Sequence, residues 1–193
     1  MDDLLLFVTL ECLIEQTKAN LEAEWELIDL GKPVKIMGIE IVLRDHSITI
    51  SQQRYLESIL WKERMDNVNA VGILLDPNIV LELNLDRDVG DRCNLYARLI
   101  SELQFLANAT RPNIAYTISW LLVYTANPMI QHITTLKRML RYLSGTRSYA
   151  ITYNNVLDHP NHFFGYADAA FTNVDDQKST SGYVFMMAGG AIT

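Results

Sequence analysis

The sequence YARLISELQFLANATRPNIAYTISWL, residues 96–121, decides the fold because it carries two of three closely spaced helices. We predict the first helix over about 94–109 and the second from Pro112, since proline suits a first helical position. The third helix is predicted from Pro128 to just before Gly145, where glycine ends it. One face of this third helix presents an apolar stripe made of Ile133, Leu136, Leu140 and Leu143.

The sequence on either side of these helices alternates between helix and strand patterns. Upstream we predict a buried strand end at 3–8 and an amphipathic helix over 11–25. A hairpin with strands at 34–43 and 48–50 follows. A helix over 52–65, capped by Ser51, then leads into an irregular connection over 66–93. Downstream we predict strands at 149–153, 163–168 and 182–187, with Gly189 and Gly190 in a turn. Trp25, Trp61 and Trp120 lie on helical stripes, which favours positions in the core. The change from helix to strand places a domain boundary between about 148 and 162.

The charge is unevenly distributed along the chain. Residues 1–102 hold 19 acids and 10 bases, whereas residues 103–157 hold no acid and five bases. Residues 158–193 return to a net charge of −3, within a total of −7. The bases of the middle third are Arg111, Lys137, Arg138, Arg141 and Arg147. This asymmetry fits either an electrostatic footprint for nucleic acid or a solvated helix face.

The composition excludes several classes of protein. Half of the residues are apolar and a fifth are charged, as in ordinary globular domains. No apolar run is long enough for a membrane span, and no basic region precedes an apolar stretch at the N-terminus, so we expect neither a membrane protein nor a secreted one. The two cysteines, Cys12 and Cys93, are too few for a disulfide framework. We therefore expect an intracellular location, cytoplasmic or nuclear.

Two groups of carboxylates are candidates for metal chemistry. Asp2 and Asp3 precede the apolar run LLLF, and carboxylates clustered at a tight turn hold the divalent cations of two-metal phosphoryl transfer. A solvated N-terminus is the alternative for this pair. Asp168 follows the apolar strand FFGYA, where a metal-dependent nuclease would place a ligand, although turn residues also end strands in this way.

Six blocks of the sequence, in order, resemble the Pol polyprotein of copia-type retrotransposons. MDDLLLF (1–7) is similar to the Tyr-Val-Asp-Asp box of the reverse transcriptase palm with its first residue missing, and IMGIEI (36–41) and ITISQQRYLESIL (48–60) resemble the segments that follow it. Residues 96–121 resemble the Arg-Pro-Asp-Ile-Ala signature, and NPMIQHITTLKRMLRYLSGT (127–146) continues the match. GYADAAFTNVDDQKSTSGYVFMMAGGAI (165–192) resembles the start of the family's RNase H domain. The chain departs from the family at Val8, Ser101, Ala170 and Phe171.

The resemblance implies RNA-directed DNA synthesis and hydrolysis of the RNA strand in the parent protein. It makes Asp2 and Asp3 two of three polymerase metal ligands, and Asp168 the first of four RNase H acids. It also implies Mg²⁺ or Mn²⁺ as the parent's cofactor, with none held stably by this chain alone. The implied partner is an RNA–DNA hybrid or template–primer. The residues expected to contact its phosphates are Lys137, Arg138, Arg141 and Arg147. The oligomeric state is left open.

We therefore expect an α+β fold with three parts. These are a reverse transcriptase palm remnant with a hairpin over 1–50, a helical thumb and connection region over 51–153, and the first strands of an incomplete RNase H-like sheet over 158–193. Because most catalytic residues of the family lie outside the resemblance, we expect no activity from this chain alone. The alternatives are a non-catalytic module that binds nucleic acid or protein, and an inert pseudogene product.

Overall fold

Helices and two antiparallel sheets alternate along the chain. The computed structural model describes residues 4–8, 11–84, 92–154, 162–170 and 179–192. In chain order the elements are α1 (Glu11–Glu22), β1 (Lys35–Ile36), β2 (Ile39–Arg44), β3 (Ser47–Ser51), α2 (Gln53–Lys62), α3 (Arg92–Ala109), a 3₁₀ turn (Pro112–Ile114), α4 (Ala115–Leu122), α5 (Ile130–Gly145), β4 (Ile151–Asn154), β5 (Phe164–Ala170), β6 (Thr180–Met187) and β7 (Gly190–Ala191). Among these helices, none has the length and apolar character needed to cross a bilayer.

The hydrophobic core lies between α2, α3, α4 and α5. On α2 the buried residues are Leu56, Ile59 and Leu60, whose spacing of three and four places them on one face. The other helices contribute the larger share, with Tyr96, Leu99, Ile100, Leu103, Leu106, Ile114, Ile118, Leu121, Leu136, Met139, Leu140 and Leu143. Each fully buried leucine or isoleucine contributes about 1.5–3 kcal/mol relative to an exposed one. The three predicted helices therefore form the stable centre of the molecule.

Three strands of the first sheet are joined by two-residue turns. Its strand order is β1-β2-β3-β4, all antiparallel. Met37 and Gly38 connect β1 to β2 with φ angles of 47° and 81°, the pair of positive values that a type I′ hairpin turn requires. The sequence predicted one continuous strand over 34–43, and that prediction is wrong because this turn divides the segment.

The fourth strand reaches the first sheet from far along the chain. In the register of β3 and β4, Ser47 faces Asn154 and Ile50 faces Ile151. The hydroxyl groups of Thr49 and Thr152, one on each strand, lie 3.0 Å apart. This pairing ties the hairpin of the first predicted part to the end of the second, while the three-part division itself stays a prediction.

The second sheet is a ribbon of two long strands with a short third one. Its order is β5-β6-β7, and β5 pairs with β6 from Phe164 opposite Met186 to Ala170 opposite Thr180. Ala188 and Gly189, with φ angles of 51° and 81°, form the turn into β7, so the predicted turn at Gly189 and Gly190 is shifted by one residue. The Tyr153 hydroxyl donates a 2.6 Å hydrogen bond to the carbonyl of Ala191, which ties β7 to β4.

The first part of the chain differs from its prediction in two respects. Residues 4–8 form no strand, and Phe7 is 84% exposed instead of buried. Helix α1 ends at Glu22, three residues before the predicted end, so Trp25 lies beyond it and is more than half exposed. The prediction of Trp25 as a core residue is therefore wrong.

Helix α2 is shorter than predicted. Ser51 belongs to β3, where it faces Glu40, so it does not cap the helix. Gln52 occupies the capping position without a side-chain cap, and α2 spans Gln53–Lys62 instead of 52–65. Trp61 lies off the buried stripe of α2 and is 75% exposed, contrary to its predicted place in the core. Trp120 packs against the core as expected.

Candidate nucleic-acid interface

Helix α5 separates a buried face from a basic one. Its core side carries His132, Thr135, Leu136, Met139, Leu140 and Leu143, all buried. Lys137, Arg138 and Arg141 lie outside this set, and spacings of three and four residues place Arg141 beside each of the other two. The predicted apolar stripe is confirmed at Leu136, Leu140 and Leu143, whereas Ile133 is only partly buried. Lys137 is exposed, and Arg138 and Arg141 are half-buried beside the stripe.

Lys137 and Arg138 are the least engaged of the predicted binding residues. Lys137 is exposed at the rim of an apolar cleft between α3 and α5, which Glu63 also lines. Arg138 is half-buried, and its Nε is buried without a hydrogen-bond partner among the described residues. An unpaired buried donor costs free energy, and because this nitrogen is closed to solvent it is not itself a contact point for a ligand at the surface.

Arg141 and Arg147 are held by the backbone of residues 66–70, which we name the cover segment. The Nε of Arg141 donates a 2.8 Å hydrogen bond to the carbonyl of Asn69. The Nη2 of Arg147 donates to the carbonyl of Asp66 and, at 2.8 Å, to the hydroxyl of Ser144. No ion pair joins Lys137, Arg138, Arg141 or Arg147 to a carboxylate in the described part of the chain. The positive charge of α5 and its C-terminal end is therefore not neutralised locally.

Arg111 is buried, although the sequence pattern treated it as a surface charge. It is only 3% exposed, and its Nη1 and Nη2 donate to the carbonyl and hydroxyl of Thr146 at 2.9 and 2.7 Å. Its Nε donates to the amide oxygen of Asn113, and the guanidinium lies over the ring of Tyr149, 5.2 Å from its centroid. Burial lowers the pKa of Arg111 from its ordinary value. The residue joins the start of α4 to the end of α5, where a cation also favours the helix dipole.

His132 fixes the start of α5. Its Nδ1 accepts a 2.8 Å hydrogen bond from the backbone N–H of Met129, and its ring stacks on Tyr124 with centroids 4.0 Å apart. The imidazole is fully buried, and burial lowers its pKa below the ordinary value. The backbone carbonyl of Glu82 has a smaller and opposite effect, since it raises the pKa of His132. The contact is too poorly aligned to count as a hydrogen bond to Nε2. Sequence patterns identified Arg111 only as a charge, because its partner Thr146 lies 35 residues later. They did not single out His132, although the N–H that donates to its side chain belongs to Met129, only three residues earlier.

The predicted metal ligands are not assembled by the described residues. Asp2 and Asp3 lie outside them, so their predicted role stays a prediction. Asp168 is exposed in the middle of β5, opposite Gly182 of β6. Within the described ranges, no group of three or more His, Cys, Asp or Glu side chains is close enough to hold a metal ion. A single carboxylate is too few ligands for Mg²⁺ chemistry of the two-metal kind, so the described residues do not fit such a centre.

Comparison with curated proteins shows similarity to transposon proteins. The chain is 29% identical over its whole length to the retrovirus-related Pol polyprotein from transposon TNT 1-94 of Nicotiana tabacum. It is 30% identical over 95% of its length to the corresponding protein from transposon RE1 of Arabidopsis thaliana. A putative transposon Ty5-1 protein of Saccharomyces cerevisiae is 28% identical over the whole chain.

The chain spans only part of each of these relatives. It covers 15% of the tobacco protein, 12% of the Arabidopsis protein and 62% of the yeast protein. No protein-family model matches the chain. No solved structure matches it either.

Proposed function

We propose, from the similarity of this chain to the retrovirus-related Pol polyproteins of transposons, that it serves RNA-directed DNA synthesis by holding the backbone of an RNA–DNA hybrid. In this proposal it is the copia-type segment that leads from the reverse transcriptase palm through the thumb and connection region into RNase H. The observation that carries the proposal is the basic side of α5, whose opposite side is fixed in the hydrophobic core.

Positive charge is concentrated in the middle third of the chain. Residues 103–157 contain five bases and no acid, so no carboxylate of α4 or α5 competes with phosphate. Lys137 is exposed and Arg138 is half-buried, and neither forms an ion pair with a described carboxylate. Contacts from lysine and arginine to phosphate release counterions and are independent of sequence. The acidic first half of the chain opposes this attraction, so we expect weak binding.

We assign no chemical step to this chain by itself. Asp168 is the described carboxylate that the resemblance links to RNase H, and it stands exposed on a strand. Among the residues that the structure describes, it belongs to no group of three or more His, Cys, Asp or Glu side chains that could hold an ion. A catalytic metal site needs several ligands held in place by surrounding groups. Asp168 would become such a ligand only when a packed sheet and further carboxylates surround it.

Binding to a fluorescein-labelled RNA–DNA hybrid, measured by anisotropy over a salt series, tests the proposal. We expect a logarithmic salt slope of about −0.7 to −0.9 for each phosphate contact. The triple variant Lys137→Ala, Arg138→Ala, Arg141→Ala should bind several-fold more weakly and with a shallower slope. Its control is Arg44→Ala, Arg54→Ala, Lys62→Ala, which removes the same charge from exposed positions outside α5.

The two triple variants separate the possible outcomes. Equal losses in both would show that net charge, and not the surface of α5, governs binding. Unchanged binding in the α5 variant would reject this location. If the wild-type chain binds neither the hybrid nor single-stranded RNA at low salt, the alternative of a protein-binding or inert chain replaces the proposal.

A further inference from the structure

The cover segment binds one nitrogen atom of each of two of the four cations that the proposed function requires. Arg141 and Arg147 each donate to a backbone carbonyl of this segment, from Asn69 and Asp66 respectively. These acceptors are neutral carbonyl groups, whereas a phosphate oxygen carries negative charge and a phosphate group can accept two hydrogen bonds from one guanidinium. Phosphate is therefore the better partner for both guanidinium groups, provided that the cover segment can leave.

The fit between the cover segment and α5 depends on one glycine. Gly145 is the last residue of α5, and a Cβ built there would stand 2.8 Å from the Cβ of Ala70. No real pair of Cβ atoms comes so close, and the Cβ of Ala70 cannot move without its backbone. Gly145 does not have a positive φ angle, so alanine is compatible with its backbone conformation. The absence of a side chain at 145 is what lets the cover segment lie against the helix.

The cover segment is held by few buried contacts. Asn69 and Ala70 are exposed, and Asp66 and Val68 are half-buried. Segments with few buried apolar contacts and exposed hydrogen bonds open at low free-energy cost. The arginines on α5 and beside it are, by contrast, fixed to a helix that packs in the core.

We propose that residues 66–70 are an autoinhibitory cover, which competes with nucleic-acid phosphate for Arg141 and Arg147 and leaves the surface when a hybrid binds. This inference rests on the proposed function. In the closed state the basic surface offers Lys137 and Arg138. In the open state it offers two further cations on the same side of the molecule, so the affinity for a phosphate backbone rises without any new residue.

The variant Gly145→Ala tests the cover, because its added Cβ displaces Ala70 while alanine favours the helix. Hydrogen exchange measured by mass spectrometry should show faster exchange at 66–70 with α5 still protected. Binding to the labelled RNA–DNA hybrid should tighten about tenfold at low salt, and the slope should steepen by about 1.4–1.8 for two additional phosphate contacts. The double variant Gly145→Ala, Ala70→Gly is the matched control. It removes the clash, so both exchange and binding should return to the wild-type values.

Further variants assign the gain and separate this inference from the proposed function. Arg141→Ala, Arg147→Ala in the Gly145→Ala background should abolish the gain. The cover is overturned if the gain in affinity persists in that triple variant. It is also overturned if Gly145→Ala exchanges faster at 66–70 without binding the hybrid more tightly, or if neither exchange nor binding changes in Gly145→Ala. If the wild-type chain binds with the expected salt slope while the cover test fails, only the cover is rejected. If no variant binds the hybrid, the proposed function fails, and the cover fails with it.

Discussion

At the scale of single residues, Arg111 is a charged side chain that serves the fold by joining the start of α4 to the end of α5. Its three nitrogen atoms donate to Asn113 and Thr146, and its remaining face rests on Tyr149. No charge tally distinguishes such an arginine from one in solvent, because two of its three acceptor atoms belong to Thr146, 35 residues later at the end of α5. The sequence indicated a helix start at Pro112 but not the function of the arginine before it.

We predict that Arg111→Met lowers the free energy of unfolding by about 2–4 kcal/mol, because it removes the three hydrogen bonds of a buried guanidinium and leaves the half-buried acceptors of Thr146 unpaired. Urea titration followed by circular dichroism measures the change. The control is Arg54→Met, since the Arg54 side chain is 85% exposed. That variant should stay within about 0.5 kcal/mol of the wild type. Equal losses in the two variants would show that Arg111 contributes no more than an exposed arginine.

A second prediction at this scale concerns acid. Because burial lowers the pKa of His132, the unfolded chain takes up a proton at a higher pH than the folded chain does. This contribution to stability is complete above about pH 6.5, the ordinary pKa, and decreases as the pH falls toward the folded value, by at most about 1.4 kcal/mol per pH unit. Protonated Nδ1 also cannot accept from Met129. Urea titrations at neutral and mildly acidic pH measure the loss.

His132→Gln provides the comparison for the acid prediction. Glutamine at the third helical position keeps an acceptor for the N–H of the capping residue and does not titrate in this range. The wild type should lose more stability than this variant between neutral and mildly acidic pH. Parallel pH dependence in the two proteins would mean that His132 does not govern it.

At the scale of secondary-structure elements, periodicity predicted the helices better than the strands. The apolar stripe of α5 follows from packing on one face, and such a pattern is visible in the sequence. The division of 34–43 into β1 and β2 was missed because Met37-Gly38 is not among the strongest turn pairs. The partner of β3 was missed for a different reason. Pairing register depends on packing against distant residues, which local patterns do not contain.

The same turn yields a test. Met37 holds a positive φ of 47° although its side chain is 77% exposed, so it gains little from packing. Met37→Asn creates the Asn-Gly pair that a type I′ turn prefers, and we expect a gain of about 0.5–1 kcal/mol. Thermal unfolding measures it. Ala188→Asn makes the same change before Gly189 in the second sheet. A loss of stability in Met37→Asn would contradict the assigned turn geometry.

At the scale of the whole molecule, packing density is unequal between the helical core and the second sheet. The largest fully buried side chains lie on α2, α3, α4, α5 and the turn before α4. On β5 and β6, by contrast, Tyr166 and Tyr183 are 65% and 66% exposed. A ribbon of two long strands without a covering layer is marginal in water. The sequence indicated these strands, and we expected their apolar faces to lack covering helices.

We predict that 163–187 exchanges amide hydrogens early while 112–143 stays protected, because local stability follows buried contacts. Hydrogen exchange resolved by mass spectrometry is the measurement. Tyr153→Phe removes the hydroxyl that bonds to Ala191 and should speed exchange in the second sheet without affecting α5. Equal protection in the two regions would show that the ribbon has acquired a packing partner, in which case its exposed rings mark an interface.

The pairing of β3 with β4 also sets an order of events during synthesis on the ribosome. Thr49 and Thr152 are separated by 103 residues, and among the described strands β4 is the partner of β3 on that side. At about 5–20 residues per second, the outer edge of β3 waits roughly 5–20 s for β4 to emerge. During that interval a nascent chain presents an unpaired strand edge, which is a template for association with neighbouring chains. The helices that mature in the meantime bring the two strands together, so the speed of translation through 52–150 bears directly on the yield of folded protein.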